Sequence, residues 1–391
     1  MAANSLSFNQ IATVLNSIVT QATGVAQITP TNGADFITVA QTGLLSGYDN
    51  LMAAISQVLS RSIFSSRPYY RKFQGLEADS IRWGNHVRKI NYGDRAWQNS
   101  GRLPIVNGVA VDDQKPILDN VLQTNFYGQN DYEIQYTLFS NQLDTAFKGP
   151  EEFAQFIAGK LQNISDQREQ KHEALARATL CNLIAGIITI NNSKQIIHLL
   201  TEYNTLTGSS FTATTIMQPA NYPAFIKWVY SRVASLAALM TERSTVLHQN
   251  VTGHVISRHT PYPFQRVFLY APDRYGIEAR VIADVFHDNY LKMAVTETVN
   301  YWQSIDSPDT VNTKPVYMKT DGTLDSPANA VNKSKVFGLI MDQEAAGYTI
   351  CNERTTQAAY NGEGEYQNFW LKFTDRYWND FTENAVLLLL D

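Results

Sequence analysis

One segment restricts the possible folds more than any other. Gly149-Pro150-Glu151-Glu152 places a proline in a first helical turn and two acids at the positive end of a helix dipole. Apolar residues then recur at helical spacing, Phe153, Phe156, Ile157, Leu161 and Ile164. After the polar stretch DQREQKHE the pattern resumes with Leu175, Ala178, Leu180, Leu183 and Ile184. Unbroken, this is a helix of about nine or ten turns, ~50 Å long at the standard rise. A rod of that length in a chain that also carries strand patterns has to act as a structural axis.

The strand patterns lie on both sides of it. Tyr132, Ile134, Tyr136 and Leu138 alternate with Glu133, Gln135 and Thr137, as in a strand with one buried face. Residues 223–241 predict a second helix with Phe225, Ile226, Val229, Val233, Leu236 and Met240 inward. A strand over 266–270 leads into a helix opened by Pro272-Asp273, and further strands are expected at 316–319, 335–341, 369–373 and 385–390. The class is α+β, with strands from distant parts of the chain sharing sheets. With 391 residues, 44% of them hydrophobic, the chain can bury a sizeable core in two or three coupled subdomains.

Two regions suit a solitary molecule poorly. The first sixty residues contain no basic residue before Arg61, yet Ile11, Val14, Leu15, Ile18 and Val19 fall at helical spacing. Helices with so little charge need a surface to lie on, and self-association is the economical way to provide one. Between residues 67 and 115 the chain becomes charged and glycine-punctuated. Strand-like pieces at 87–92 and 109–111 predict a long projecting β-hairpin. Tyr69, Tyr70, Trp83, Tyr92 and Trp97 fall in or beside it, either as interface anchors or packed locally beneath the loop.

Several function classes find no support. The net charge of -5, with both signs interleaved, leaves no basic footprint for phosphate, so nucleic acid is not expected as a direct ligand. The apolar runs at 180–190 and 385–390 are too short to cross a bilayer, and MAANSLSFNQ lacks the positive region of a signal peptide, so folding in the cytoplasm is expected. Cys181 and Cys351 read as reduced thiols. No phosphate-binding loop, dinucleotide fingerprint, nucleophile elbow or HExxH is present, and His172-Glu173 has Ala176 where a zinc ligand would stand. His248, His254 and His259 match no metal-ligand spacing, and the pairs Asp112-Asp113 and Glu151-Glu152 do not make a general acid and base. No catalytic residue, metal or cofactor is therefore expected.

The stretch QTNFYGQNDYEIQYTLFSNQLDTAFKGPEEFAQFI resembles the junction between projecting loop and spine helix in major capsid proteins of tailed bacteriophages with the Hong Kong 97 type fold. Upstream, RSIFSSRPYYRKFQGLEADSIRWGNHVRKI is similar to the entry into their extended loop, and YNGEGEYQNFWLKFTDRYWNDFTENAVLLLLD to their C-terminal end. The resemblance implies an N-terminal arm (1–66), an extended loop (67–122), a peripheral domain with the spine helix (123–190 and 369–391) and an axial domain (191–368). It implies a structural subunit that self-assembles through pentamers and hexamers into an icosahedral shell around double-stranded DNA, in the virion, assembled in the host cytoplasm. Loop contacts between subunits are then expected from Arg82, Arg88, Lys89, Arg95, Trp97 and Arg102, with Asp112 and Asp113 as acidic partners. Some members join loop to neighbour by a Lys–Asn bond, but no motif singles out Lys89 or Lys115, and crosslinking is not expected. The charged helical extension that some members use as a built-in scaffold is absent, which points to a separate scaffolding protein beside portal and decoration proteins. The competing expectations are an encapsulin-like compartment shell and a cytoplasmic enzyme with an unrecognised site.

Overall fold

The computed structural model describes residues 8–24, 30, 33–45, 54, 69–78, 87–94, 120–146, 150–281 and 295–391. Two N-terminal helices, α1 (Phe8–Thr23) and α2 (Gly33–Leu45), come first. Strands β1 (Val87–Tyr92) and β2 (Val121–Phe126) pair antiparallel, from Val87 opposite Phe126 to Tyr92 opposite Val121. They form the base of the expected hairpin, and the expected strand at 109–111 lies outside the described residues. Strand β3 (Gln129–Phe139) runs into a short helix α3 (Ser140–Ala146) and then into α4 (Pro150–Ile190).

The 41 residues of α4 make about eleven turns, some 60 Å, longer than the periodicity alone indicated. Its end is set by Asn191, which takes the left-handed conformation (φ 56°) and donates its N–H back to the Ile187 carbonyl. By length and composition Gln162–Ile190 could cross a bilayer, which the shorter apolar run read from the sequence could not. In this fold it is a core helix, because Leu180, Leu183, Ile184 and Ile187 are buried in the protein's own interior.

The chain then alternates through β4 (Ile196–His198), α5 (Leu199–Thr207), α6 (Ala213–Ile216), α7 (Tyr222–Thr241), β5 (Gln265–Tyr270), α8 (Ala271–Val281) and β6 (Val295–Val299). Four short strands, β7 (Val311–Thr313), β8 (Tyr317–Met318), β9 (Leu324–Asp325) and β10 (Val331–Lys333), precede β11 (Val336–Asp342), β12 (Ala346–Gln357), β13 (Tyr366–Asn379) and β14 (Ala385–Leu389). A five-stranded mixed sheet has the order β4-β14-β11-β5-β6 and a three-stranded antiparallel sheet the order β12-β13-β3.

The five-stranded sheet is the middle of three layers. Alternate residues point to opposite faces of a strand. Leu387, Leu389, Leu339 and Phe268 accordingly join the core with α4, while Val386, Leu388, Ile340 and Val267 join the core with Phe225, Val229, Val233 and Met240 of α7. Burial on both faces explains why β11 and β14 read as unbroken apolar runs. In the three-stranded sheet, Tyr132 stacks on Phe373 and Tyr136 on Phe369, each pair directly opposite across β3 and β13 with ring centroids 5.2 Å apart.

The arm corrects one expectation. Ala12, Leu15, Ile18 and Val19 of α1 are buried, as are Phe36 and Ala40 of α2, and α1 packs on both α2 and α4. Two helices with a single charged residue between them, Asp35, and one apolar stripe each can cover one another, so a second copy is not required for this part of the arm.

Candidate assembly interface

Strand alternation gives the hairpin base two unlike faces. Val87, Lys89 and Asn91 share one face with Leu122, Thr124 and Phe126. Arg88, Ile90 and Tyr92 share the other with Val121, Gln123 and Asn125. Arg88, Ile90, Tyr92, Val121 and Gln123 of that second face are exposed, Tyr92 by 69%.

The inward face meets a cage of charge. Lys89 Nζ lies 2.8 Å from Glu344 Oε2 and 3.1 Å from Asp380 Oδ2, and it also donates to Glu383. Arg258 Nη1 is 3.1 Å from Glu383 Oε1 and donates to Asn91 Oδ1 on the hairpin. The arginine is itself held by the Thr382 carbonyl at 3.0 Å. Asp380 and Glu383 stand in the turn between β13 and β14, and Glu344 in the turn between β11 and β12. Burial opposes the charge on Lys89, but Asp380 and Glu383 outweigh it and raise the ammonium pKa. Burial pushes the Glu383 carboxyl up to about 7 against the pull of Lys89 and Arg258. Further along the hairpin, Asp94 pairs with Arg243 and accepts from the Ser257 N–H at 2.8 Å, while Asn120 Nδ2 donates to the Gly253 carbonyl.

A second polar anchor precedes the hairpin. Residues 69–73 lie along α4, and 74–78 pass on to β12. Tyr69 Oη donates to Glu173, the Lys72 N–H donates to the same carboxylate at 3.1 Å, and Arg71 pairs with Glu169 at 2.7 Å and with Glu77. Burial works to raise the Glu173 carboxyl, yet the donors Tyr69, Arg177 and Lys72 hold it below its ordinary range. Arg177 also has Phe73 and Tyr301 near its guanidinium, with ring centroids 4.9 and 3.7 Å away.

The residues expected at this interface separate into three groups. Arg82, Arg95, Trp97, Arg102, Asp112 and Asp113 lie outside the described residues, as does Trp83. Arg88 stands on the outward face. Lys89, expected beside it as a contact to a neighbour, is turned inward to carboxylates of its own chain, because the next residue along a strand points to the opposite face. Of the aromatics, Tyr70 and Tyr92 are exposed, and Tyr69 is tied to α4 through Glu173. His248 is buried between Asn384 Oδ1 at 3.1 Å and the Ile256 carbonyl at 2.8 Å, with burial lowering its pKa. Sequence reasoning missed Arg258, Glu344, Asp380 and Glu383. The available signal was two acids three residues apart immediately before the apolar run of β14, where an unpartnered charge would be costly.

Residues 115–389 match the family model of the Phi29-like phage major capsid protein. Among solved structures, the capsid structure of Staphylococcus phage Andhra is similar at 11% identity with TM-score 0.56, covering 83% of this chain and 85% of that one. A chain in the structure of head fiber and inner core protein gp22 of native bacteriophage P68 is similar at 10% identity with TM-score 0.52, covering 83% and 86%. No curated protein matches the sequence. At these identities the structural likeness establishes the fold.

Proposed function

Because the chain belongs to the Phi29-like phage major capsid protein family, we propose that the outward face of its hairpin base is a contact surface through which one shell subunit grips the next. The protein is a structural subunit of a bacteriophage capsid shell, an oligomer of such subunits, with the mixed helix and sheet fold of Hong Kong 97 type capsids. The observation that carries the proposal is the two-faced hairpin. One face is tied to its own subunit by Lys89 and Asn91, and the other offers Arg88, Ile90, Tyr92, Val121 and Gln123 to solvent. Exposed apolar side chains beside an arginine on a projecting ribbon are suited to burial by a partner.

In this reading residues 1–66 form an arm, 67–122 the extended loop, 123–190 with 369–391 a peripheral domain whose spine is α4, and 191–368 an axial domain. Axial domains meet in pentamers and hexamers, and loops reach across to neighbouring subunits. A head-to-tail contact closes into rings and then a shell when its rotation permits, and weak contacts suffice because each subunit grips several neighbours. Arg82, Arg95, Trp97 and Arg102, with Asp112 and Asp113 as acidic partners, remain the proposed contacts elsewhere in the loop. The shell is icosahedral, encloses double-stranded DNA without reading its sequence, and assembles in the host cytoplasm with a separate scaffolding protein, a portal and decoration proteins. The subunit carries out no catalysis.

Electron microscopy of the full chain, expressed alone and together with candidate phage scaffolding proteins, tests this. Uniform closed shells with the scaffold and irregular or no shells without it are expected. A discrete monomer or dimer under both conditions refutes the shell contact, and uniform shells from the chain alone refute the need for a scaffold.

A further inference from the structure

The way the hairpin is fastened differs in kind from the way the rest of the molecule is held. Among the described residues, none from β1 or β2 belongs to either apolar core. Val87, Leu122 and Phe126 of the inward face are half-buried, and its fully buried member is the polar Asn91. The attachments described above are polar. Lys89 sits in its carboxylate cage, Arg258 bridges that cage to Asn91, Asp94 engages Arg243 and the Ser257 N–H, and Asn120 engages the Gly253 carbonyl. By contrast, the β13–β14 turn that receives Lys89 is locked into the body. Phe381 is in the core under α4, the Gln249 N–H donates to the Phe381 carbonyl at 2.9 Å, and Asn182 Nδ2 donates to Asn379 at 2.8 Å.

Apolar attachment and ionic attachment fail differently. Lifting a ribbon from an apolar core exposes hydrocarbon along its whole length. Lifting one from a polar cradle exchanges each contact for water, so release is local and its free energy depends on a few charges. We propose that the hairpin is a separable lever latched to its own subunit by Lys89, able to leave the body while both sheets stay folded. Two cations, Lys89 and Arg258, face three carboxylates, Glu344, Asp380 and Glu383, with His248 one step behind through Asn384. Without Lys89, Arg258 alone faces Glu383, Asp380 loses its cation, and the docked state retains two buried carboxylates, Asp380 and Glu383, that undocking would hydrate. The use of such a lever, adjusting the reach of one subunit toward the next, rests on the capsid reading. The mechanics of the latch do not.

Spin labels report the lever directly. Gln123→Cys and Glu363→Cys, both exposed sites, are labelled in the full-length, unassembled chain carrying Cys351→Ser. Cys181 stays silent, because burial pushes its thiol up to about 12. A control pair joins Glu242→Cys to Glu363→Cys within the body. The unaltered latch is expected to give one narrow hairpin-to-body distance. Lys89→Ala raises a second, displaced population by about tenfold or more, Lys89→Arg restores the single distance, and the control pair does not move. An unchanged hairpin distance in Lys89→Ala overturns the latch. A control distance that changes with it, or loss of the fold, overturns separability. A chain that forms no shells yet shows the latch rejects the capsid reading alone.

Discussion

Replacing Gly186 by alanine sets two effects of similar size against each other inside one helix. Glycine in a helix interior is unfavourable by about 1 kcal/mol relative to alanine, so propensity alone favours the change. Gly186, however, lies where α4 meets the β13–β14 turn. A Cβ built there falls 2.4 Å from Phe381 Cε1, 2.5 Å from its Cζ and 3.4 Å from Tyr317 Cβ. Phe381 cannot swing aside freely. It is buried, its carbonyl is held by Gln249, and the neighbouring Thr382 hydroxyl and N–H both donate to Asp380 Oδ1. Overpacking of this kind costs about 1–3 kcal/mol, which exceeds the propensity gain and leaves a net loss of roughly 1 kcal/mol. Gly159 is the internal control, since nothing lies within 4 Å of its added Cβ in the same helix. Gly159→Ala is expected to stabilise by up to about 1 kcal/mol. Urea unfolding of both variants, followed by far-UV circular dichroism, should displace the midpoint in opposite directions. Equal stabilisation by the two substitutions refutes the argument that α4 needs a bare backbone where Phe381 packs.

Burial, with Asp309 nearby, raises the Asp273 carboxyl to about 7. The folded state therefore holds its proton more tightly than the unfolded chain, and this group's contribution declines as pH rises from about 4 through about 7. Asp273→Asn should flatten the dependence of the urea midpoint over that window, leaving a residual slope of the same sign from Glu383; an unchanged slope contradicts the assignment. Phe373→Ala removes a buried ring stacked 5.2 Å from Tyr132 and should cost about 3–5 kcal/mol in the same titration. Ile90→Ser combined with Tyr92→Ser alters only exposed side chains, so the circular dichroism spectrum should match the parent while electron microscopy shows shells lost. Normal shells from this double variant remove the outward face from the contact.

Legibility in the sequence tracked how local each cause was. The helices α4 and α7 were legible because a Pro-Glu-Glu start and a 3.6-residue period are written within a few turns. Strand β3 was legible because alternation needs only successive residues, and β11 and β14 because burial on both faces leaves an apolar run. The arm was misread because its stripe was visible but not what covers it; pairing α1 with α2 and α4 is a tertiary choice. Lys89 was expected as a contact to a neighbour, whereas the structure pairs it with carboxylates of its own chain. Its partner Glu383 stands 294 residues away, and neither residue has a local signature that names the other.

The β13–β14 turn is where these separate elements become one mechanical unit. Strand β13 is the central strand of the three-stranded sheet, and β14 lies inside the five-stranded one, so the five residues between them, 380–384, connect the two sheets covalently. On one side Phe381 packs against Gly186 of α4, and on the other Asp380 and Glu383 receive Lys89 of the hairpin. A load applied at Ile90 or Tyr92 therefore has one route into the body through charged groups rooted in that turn, beside the two-residue link from β2 to β3 and the contacts of Asp94 and Asn120. An apolar attachment spread along the hairpin would distribute the same load over many residues and fix the ribbon at one angle. A few ionic contacts on a rigid turn instead let the ribbon change its angle without repacking a core, because side chains of this length can follow a moving partner while buried rings cannot. In the proposed function, ionic fastening on a rigid turn therefore suits a shell contact that has to meet neighbours at more than one angle.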